Sequence, residues 1–356
     1  MPGYIERALL RFSHKAPTTS QDSPHAWSKP NYGAKTQYAP LDDTTDELST
    51  SDKTRIQEIV GVLLFYGRAV DSTLLPALGT IATQQSAPTA TTMHAIVQLL
   101  DYCASHPDAT VRFTASDMIL HSDSDASYLS APKARSRAAG YHYLSSHPKD
   151  ASKGPDPTDP APPNNGAIHV MCNIMREVLA SAAEAELAAL FHNGREACPL
   201  RITLEELGHK QPPTPIATDN TTASGIANDT VKQKRSKAID MRFYWIRDRT
   251  RQGQFVIYWR KGILNKADYF TKHHSHAHHR EIRSSYLLSK NNPANRNYFE
   301  CLEDDEADSM SDPDAPHLSK STPASGEGVL NSRIPDAREP GNPFTASATR
   351  SLSPIT

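Results

Sequence analysis

Between Thr54 and Leu100 the apolar positions fall at helical intervals: Ile56, Ile59, Val60, Leu63 and Leu64 form one stripe, Leu74 to Ile81 a second, and Met93, Ile96, Val97 and Leu100 a third. Short helices with one apolar stripe each bury it against one another, so this stretch predicts a small three-helix support. The period changes further on. Met118 to Ser122, Tyr141 to Leu144, Ile168 to Met175, Pro215 to Thr218 and "FVIYW" (Phe255 to Trp259) read as strands, with the Pro-rich "HPKDASKGPDPTDPAPPNNG" between the second and third. Helices are predicted for "SAAEAELAALF", where Ser181 and Glu184 have capping-box spacing, for "TASGIAND", and for Ser236 to Gln252, stopped by Gly253. Strands first and helices mixed in later predict an α/β domain built on a mixed sheet with helices on both faces.

Composition limits how much of the chain packs. Of 356 residues only 37% are apolar and 27 are proline, enough for one sizeable core with flexible flanks. The expected plan is a flexible N-terminal arm over 1–52, a helical segment over 53–114, the α/β domain over 115–290 with a flexible loop at 147–166, and a disordered acidic, Ser/Pro-rich tail over 291–356. The four cysteines have no CxxC spacing, which argues against a disulfide framework or a zinc site and fits an intracellular setting, cytoplasm and nucleus left open. Nowhere do about 18 apolar residues follow one another, so no membrane span is expected.

Carboxylates stand where the apolar runs end. "HSDSDAS" places Asp123 and Asp125 after the first strand, Glu184 and Glu186 lie on the first helix of the domain, Asp219 closes a strand, and Asp268 sits in "NKADYFTK". Hard divalent cations take oxygen ligands, and carboxylates gathered from several elements onto one sheet edge can hold two ions that cleave phosphodiesters. Residues two apart on a strand face the same way, so a strand does not choose between Asp123 and Asp125. Helix geometry does not choose between Glu184 and Glu186 either, since they flank the Leu187/Leu190 stripe on opposite sides. The capping role accounts for Glu184 and leaves Glu186 for metal.

The formal charge of −2 hides an asymmetry. Lys232, Lys234, Arg235, Lys237, Arg242 and Arg247 crowd one stretch and are candidate phosphate contacts, giving sequence-independent affinity for nucleic acid. "HHSHAHH" (His273 to His279) has no partner ligands or helical spacing and is not read as a metal site. Trp245 and Trp259 are expected to be core aromatics.

The pieces "HSDSDASYLS", "SAAEAELAALF", "TDNTTASGIAND", "RSKAIDMRFYWIRDR" and "LNKADYFTK", in that order, resemble the ribonuclease H domain of copia-type retrotransposon polyproteins. The resemblance implies a ribonuclease H-like fold and hydrolysis of RNA in RNA/DNA hybrids with two magnesium ions, manganese as a substitute. It also implies the ligands, carried over residue by residue: Asp125, Glu186, Asp219 and Asp268, with "SDAS" selecting Asp125. "TRIQEIVGVLLFYGRAVDSTLLPAL" is similar to the segment that ends the reverse transcriptase in those polyproteins, so the chain reads as the C-terminal part of a larger element. It has no Y-x-D-D polymerase signature, so DNA synthesis is not expected of it, and a separate polymerase portion of the element is a candidate partner. The stretch "WRKGILNKAD" also lacks the histidine that many cellular ribonucleases H carry before the last aspartate, which implies slow turnover. The alternative reading is a catalytically inactive remnant that binds nucleic acid without cutting it.

Overall fold

A computed structural model describes residues 1–28, 43–148, 150, 154–155, 165–231 and 240–288. The expected tail, most of the 147–166 loop, and Lys232, Lys234, Arg235 and Lys237 lie outside the described residues. In chain order the elements are α1 (Tyr4–Arg11), α2 (Thr50–Ala69), α3 (Leu75–Gln84), α4 (Ala90–Ser105), β1 (Ile119–Ala131), β2 (Arg135–Ser145), β3 (Ala167–Ile174), α5 (Ala182–Glu206), β4 (Thr214–Thr218), α6 (Thr221–Ala227), α7 (Asp240–Arg251), β5 (Phe255–Trp259) and α8 (His276–Arg283), with 3-10 turns at Ser72–Leu74, Gly262–Leu264 and Asp268–Thr271.

The three predicted stripes meet: Ile56, Ile59, Leu63, Leu78, Ile81, Ile96, Leu99 and Leu100 share one core. The same core takes Ile5 and Phe12 from α1, so the first twelve residues are packed where a flexible arm over 1–52 was expected. Positions 5, 8, 9 and 12 are helically spaced, and the charges between them lie on the outer face. Ser23 and His25 are buried as well, although they stand in a Ser/Thr/Pro-rich stretch.

The strands form one sheet in the order β3-β2-β1-β4-β5, antiparallel across β3, β2 and β1 and parallel from β1 through β4 to β5. It is the mixed sheet that the order of elements predicts. On one face Leu120, Ile216 and Ile257 pack against Leu187 and Leu190 of α5, Ile226 of α6, and Phe243 and Ile246 of α7. On the other, Ala139, Tyr141, Tyr143 and Val170 meet Leu75 of α3 and a cover made of Ala267, Tyr269, Phe270, Tyr286 and Leu287.

β1 runs for 13 residues, well past the expected end at Ser122. Its polar residues are buried because they have partners: Ser122 Oγ bonds His142 Nδ1 at 2.7 Å, and Asn193 Nδ2 of α5 donates to Ser124 Oγ at 2.9 Å. Apolar alternation cannot reveal such a strand.

The His-rich run joins the helical support to the sheet. His273 Nε2 lies 3.1 Å from Thr80 Oγ1, and His279 spans Tyr269 OH at 2.7 Å and Tyr102 OH at 2.8 Å. Arg283 Nη2 donates to buried Asp71 at 3.0 Å.

Candidate metal centre

Three carboxylates converge where β1, α5 and β4 come together. Asp125 lies midway along β1, Glu186 on the second turn of α5, and Asp219 directly after β4. One ligand oxygen from each lies within 4.8 Å of the others, and among the described residues this is the group of three or more metal-capable side chains. Asp125 is 4% and Glu186 6% exposed, while Asp219 is half-buried.

Each is held by neighbours. Thr271 Oγ1 donates to Asp125 Oδ2 at 2.8 Å. Glu186 Oε1 accepts from the Ala126 N–H at 3.3 Å, and Oε2 from Thr218 Oγ1 at 3.5 Å. The backbone of Asp219 is fixed by Trp259 Nε1, which donates to its carbonyl at 2.8 Å, and by Asn220, whose side chain caps α6 by accepting from Ala223 N at 2.9 Å. Gly262 closes over the Asp219 carboxylate; a Cβ there would come within 2.8 Å of Oδ2, so the carboxylate side chain would have to shift.

The choice between neighbouring acids is visible in the geometry. Ser181 Oγ accepts from Glu184 N at 3.2 Å and Glu184 Oε2 accepts from Ala180 N at 2.7 Å, so Glu184 serves the helix N-terminus. Asp123 shares the sheet face of Asp125 but is fully buried and stands outside the group of three. Asp268 opens the 3-10 turn beside the group and is itself not a member of it; its carboxylate is partly exposed and receives Lys272 Nζ at 2.7 Å.

Burial and mutual repulsion govern the charge of the site. Burial first, then the negative charges of Asp268 and Asp219, push the Asp125 carboxyl up to about 7. Burial and the nearby Asp125 and Asp219 hold Glu186 well above the usual carboxylate range, and burial with Asp268 raises Asp219. Acidic groups crowded into a poorly solvated site resist ionisation until a cation neutralises them. The donor set, oxygens only, suits a hard divalent ion.

Of the basic candidates within the described residues, Arg242 pairs with Glu177, and Arg247 with Asp229. Trp259 is 37% exposed beside the site instead of in the core, since its indole N–H serves Asp219; Trp245 packs against Phe191 at 5.4 Å between ring centroids. Thr271, Thr218 and Gly262 are not singled out by the sequence as site residues, and Trp259 only as a core aromatic. Only the T-K that follows "ADYF" pointed to one of them.

Solved structures with a similar arrangement include the N-terminal ribonuclease H domain of a Mycobacterium tuberculosis protein fused to maltose-binding protein (10% identity, 47% of this chain and 96% of that one, TM-score 0.29). Ribonuclease H1 of Halobacterium salinarum (14%, 43% and 94%, 0.27) and LC11-RNase H1 in complex with an RNA/DNA hybrid (12%, 43% and 93%, 0.30) are also similar. No protein-family model matches the chain. In sequence it is 24% identical over 271 residues to the retrovirus-related Pol polyprotein from transposon TNT 1-94 of Nicotiana tabacum, a match that covers 76% of this chain and 18% of that polyprotein. The chain is thus related in sequence to a retrotransposon Pol polyprotein and is built on a mixed sheet with an acidic group at its edge.

Proposed function

We propose that the domain is a metal-dependent endonuclease that hydrolyses the RNA strand of RNA/DNA hybrids, a retrotransposon-derived ribonuclease H module. The observation that carries this reading is the convergence of Asp125, Glu186 and Asp219 within 4.8 Å. Two magnesium ions, or manganese in their place, supply an activated water and charge neutralisation at the leaving oxygen when bound.

In this reading Asp125, Glu186 and Asp219 would hold the ions, Glu186 would also orient the attacking water, and Asp268 would add a ligand from the rim. Thr271 keeps the Asp125 carboxylate aimed by donating to Oδ2. Lys232, Lys234, Arg235 and Lys237 supply sequence-independent phosphate affinity, with Arg242 and Arg247 exchanging their carboxylate partners for phosphate. Groove shape and 2′-hydroxyl contacts distinguish the RNA strand. The protein acts inside the cell.

Incubation of purified protein with end-labelled hybrid, in magnesium, in manganese and in chelator, tests the reading. Metal-dependent cutting of the RNA strand that Asp125→Asn abolishes supports it. Hybrid that is bound and left intact in both metals overturns it in favour of an inactive nucleic-acid-binding remnant.

A further inference from the structure

Asp123 and Asp125 share one face of β1, yet their surroundings differ. Asp123 is 0% exposed, and Oδ1 has no hydrogen-bond partner. Its other oxygen, Oδ2, accepts the backbone N–H of Lys266 at 2.9 Å. Arg260 and the Lys266 side chain lie within electrostatic reach, both largely buried. An ionisable group buried without full pairing is costly, and an apolar side chain of that size would fill the space more cheaply.

The contact belongs to a series. Asn265 Nδ2 donates to Ser124 O at 2.8 Å while its Oδ1 accepts from Ala267 N at 3.0 Å. Further along, Ser127 Oγ donates to Thr271 O at 2.6 Å and Thr271 Oγ1 to Asp125 at 2.8 Å. Residues 265–271 are thus strapped to β1 at both ends, and Asp268 stands in the middle. Its own carboxylate is held by Lys272 at the partly exposed rim, so the backbone of the strap decides where it stands.

We propose that Asp123 is a positioning residue: by holding the Lys266 N–H it sets the strap against β1 and so places Asp268 relative to Asp125. The inference builds on the nuclease reading, in which Asp268 adds a ligand from the rim. Asp123 touches neither ion nor substrate.

Amide hydrogen exchange tests the anchor in the full chain. The Lys266 amide in the wild type exchanges as slowly as core amides of α5; in Asp123→Leu, which keeps the branched shape and accepts no hydrogen bond, it exchanges about 10-fold faster or more while α5 is unchanged, and in Asp123→Asn, which keeps an acceptor oxygen, it stays slow. Cleavage assays then show a lower kcat and about 10-fold more magnesium at half-saturation for Asp123→Leu, with KM for hybrid unchanged, recovery in Asp123→Asn, and no further loss when Asp123→Leu is added to Asp268→Asn. A fast-exchanging Lys266 amide in the wild type overturns the anchor even if Asp123→Leu fails to fold. So does a loss in Asp123→Leu that is equally large in the Asp268→Asn background. A wild type that never cuts hybrid removes the nuclease reading, and the exchange measurement still decides the anchor.

Discussion

Glu186 on α5 accepts the backbone N–H of Ala126, the residue that follows Asp125 in β1, at 3.3 Å. The bond ties helix to strand at the point where two buried carboxylates face each other, so neither can retreat from the other without breaking it. Crowding of like charge is therefore built into the fold, and it has measurable consequences.

Asp125→Asn removes one charge from the crowd and keeps the shape. Hybrid cleavage is expected to fall by about 10³-fold or more. In chelator, the variant is expected to be more stable than the wild type by on the order of 1 kcal/mol at neutral pH. The sign follows from the Asp125 carboxyl being raised to about 7 in the folded protein: its contribution is fully present below the ordinary carboxylate range and is lost as pH rises through 7. Calorimetric unfolding of both proteins from pH 4 to 8 checks this, the gap opening as pH rises.

Magnesium is expected to raise the unfolding temperature of the wild type, because an ion that binds only the folded site stabilises it by about 2.7 kcal/mol at 100 times its dissociation constant. Chelator reverses the gain. A thermal-melt titration reads it directly, and Asp125→Asn is expected to abolish most of the shift.

Gly262→Ala puts a methyl group within 2.8 Å of Asp219 Oδ2. Either the carboxylate or the turn at Gly262–Leu264 has to give way, and the carboxylate side chain is the softer of the two. The expected result is a magnesium requirement about 10-fold higher, corresponding to ~1.4 kcal/mol, with the unfolding temperature little changed. Metal titrations of cleavage and of melting separate the two effects.

Acidification is expected to loosen the joint between the helical support and the sheet. Burial holds His273 and His274 down to about 4, His279 to about 3 and His25 to about 2. Groups depressed in the folded state contribute stability above their unfolded value of about 6.5 and lose it as pH falls toward the folded one, about 2 kcal/mol for each at pH 5. Relief of the crowded carboxylates works the other way over part of this range. Comparing the wild type with His273→Gln cancels that opposing effect, and the variant is expected to lose less stability between pH 7 and 5.

Much of this could be read along the chain. Helical spacing located α2, α3 and α4, and β-formers located β5 to the residue. Ser181 and Glu184 marked the start of α5, and the capping role left Glu186 for the site. The motifs carried over by resemblance named four acids, Asp125, Glu186, Asp219 and Asp268, of which the first three meet and Asp268 stands outside the group. α1 lies inside the expected flexible arm because its apolar period runs for only about two turns, with Glu6, Arg7 and Arg11 between the apolar positions. The length of β1 was missed because Ser122, Asp123, Ser124 and Asp125 are buried through hydrogen bonds, which leave no apolar alternation.

The sequence by itself located α2 to α5 and β5 and marked the acids at strand and helix ends, since both depend on neighbours within a few residues. Tertiary structure alone decided that Asp123 turns to the Lys266 amide while Asp125 turns to Glu186 and Asp219, that Trp259 serves the Asp219 carbonyl, and that the His-rich run is a structural joint. Those outcomes depend on partners far apart in the chain, and on which side of the sheet desolvation is compensated by a donor; no local pattern encodes either.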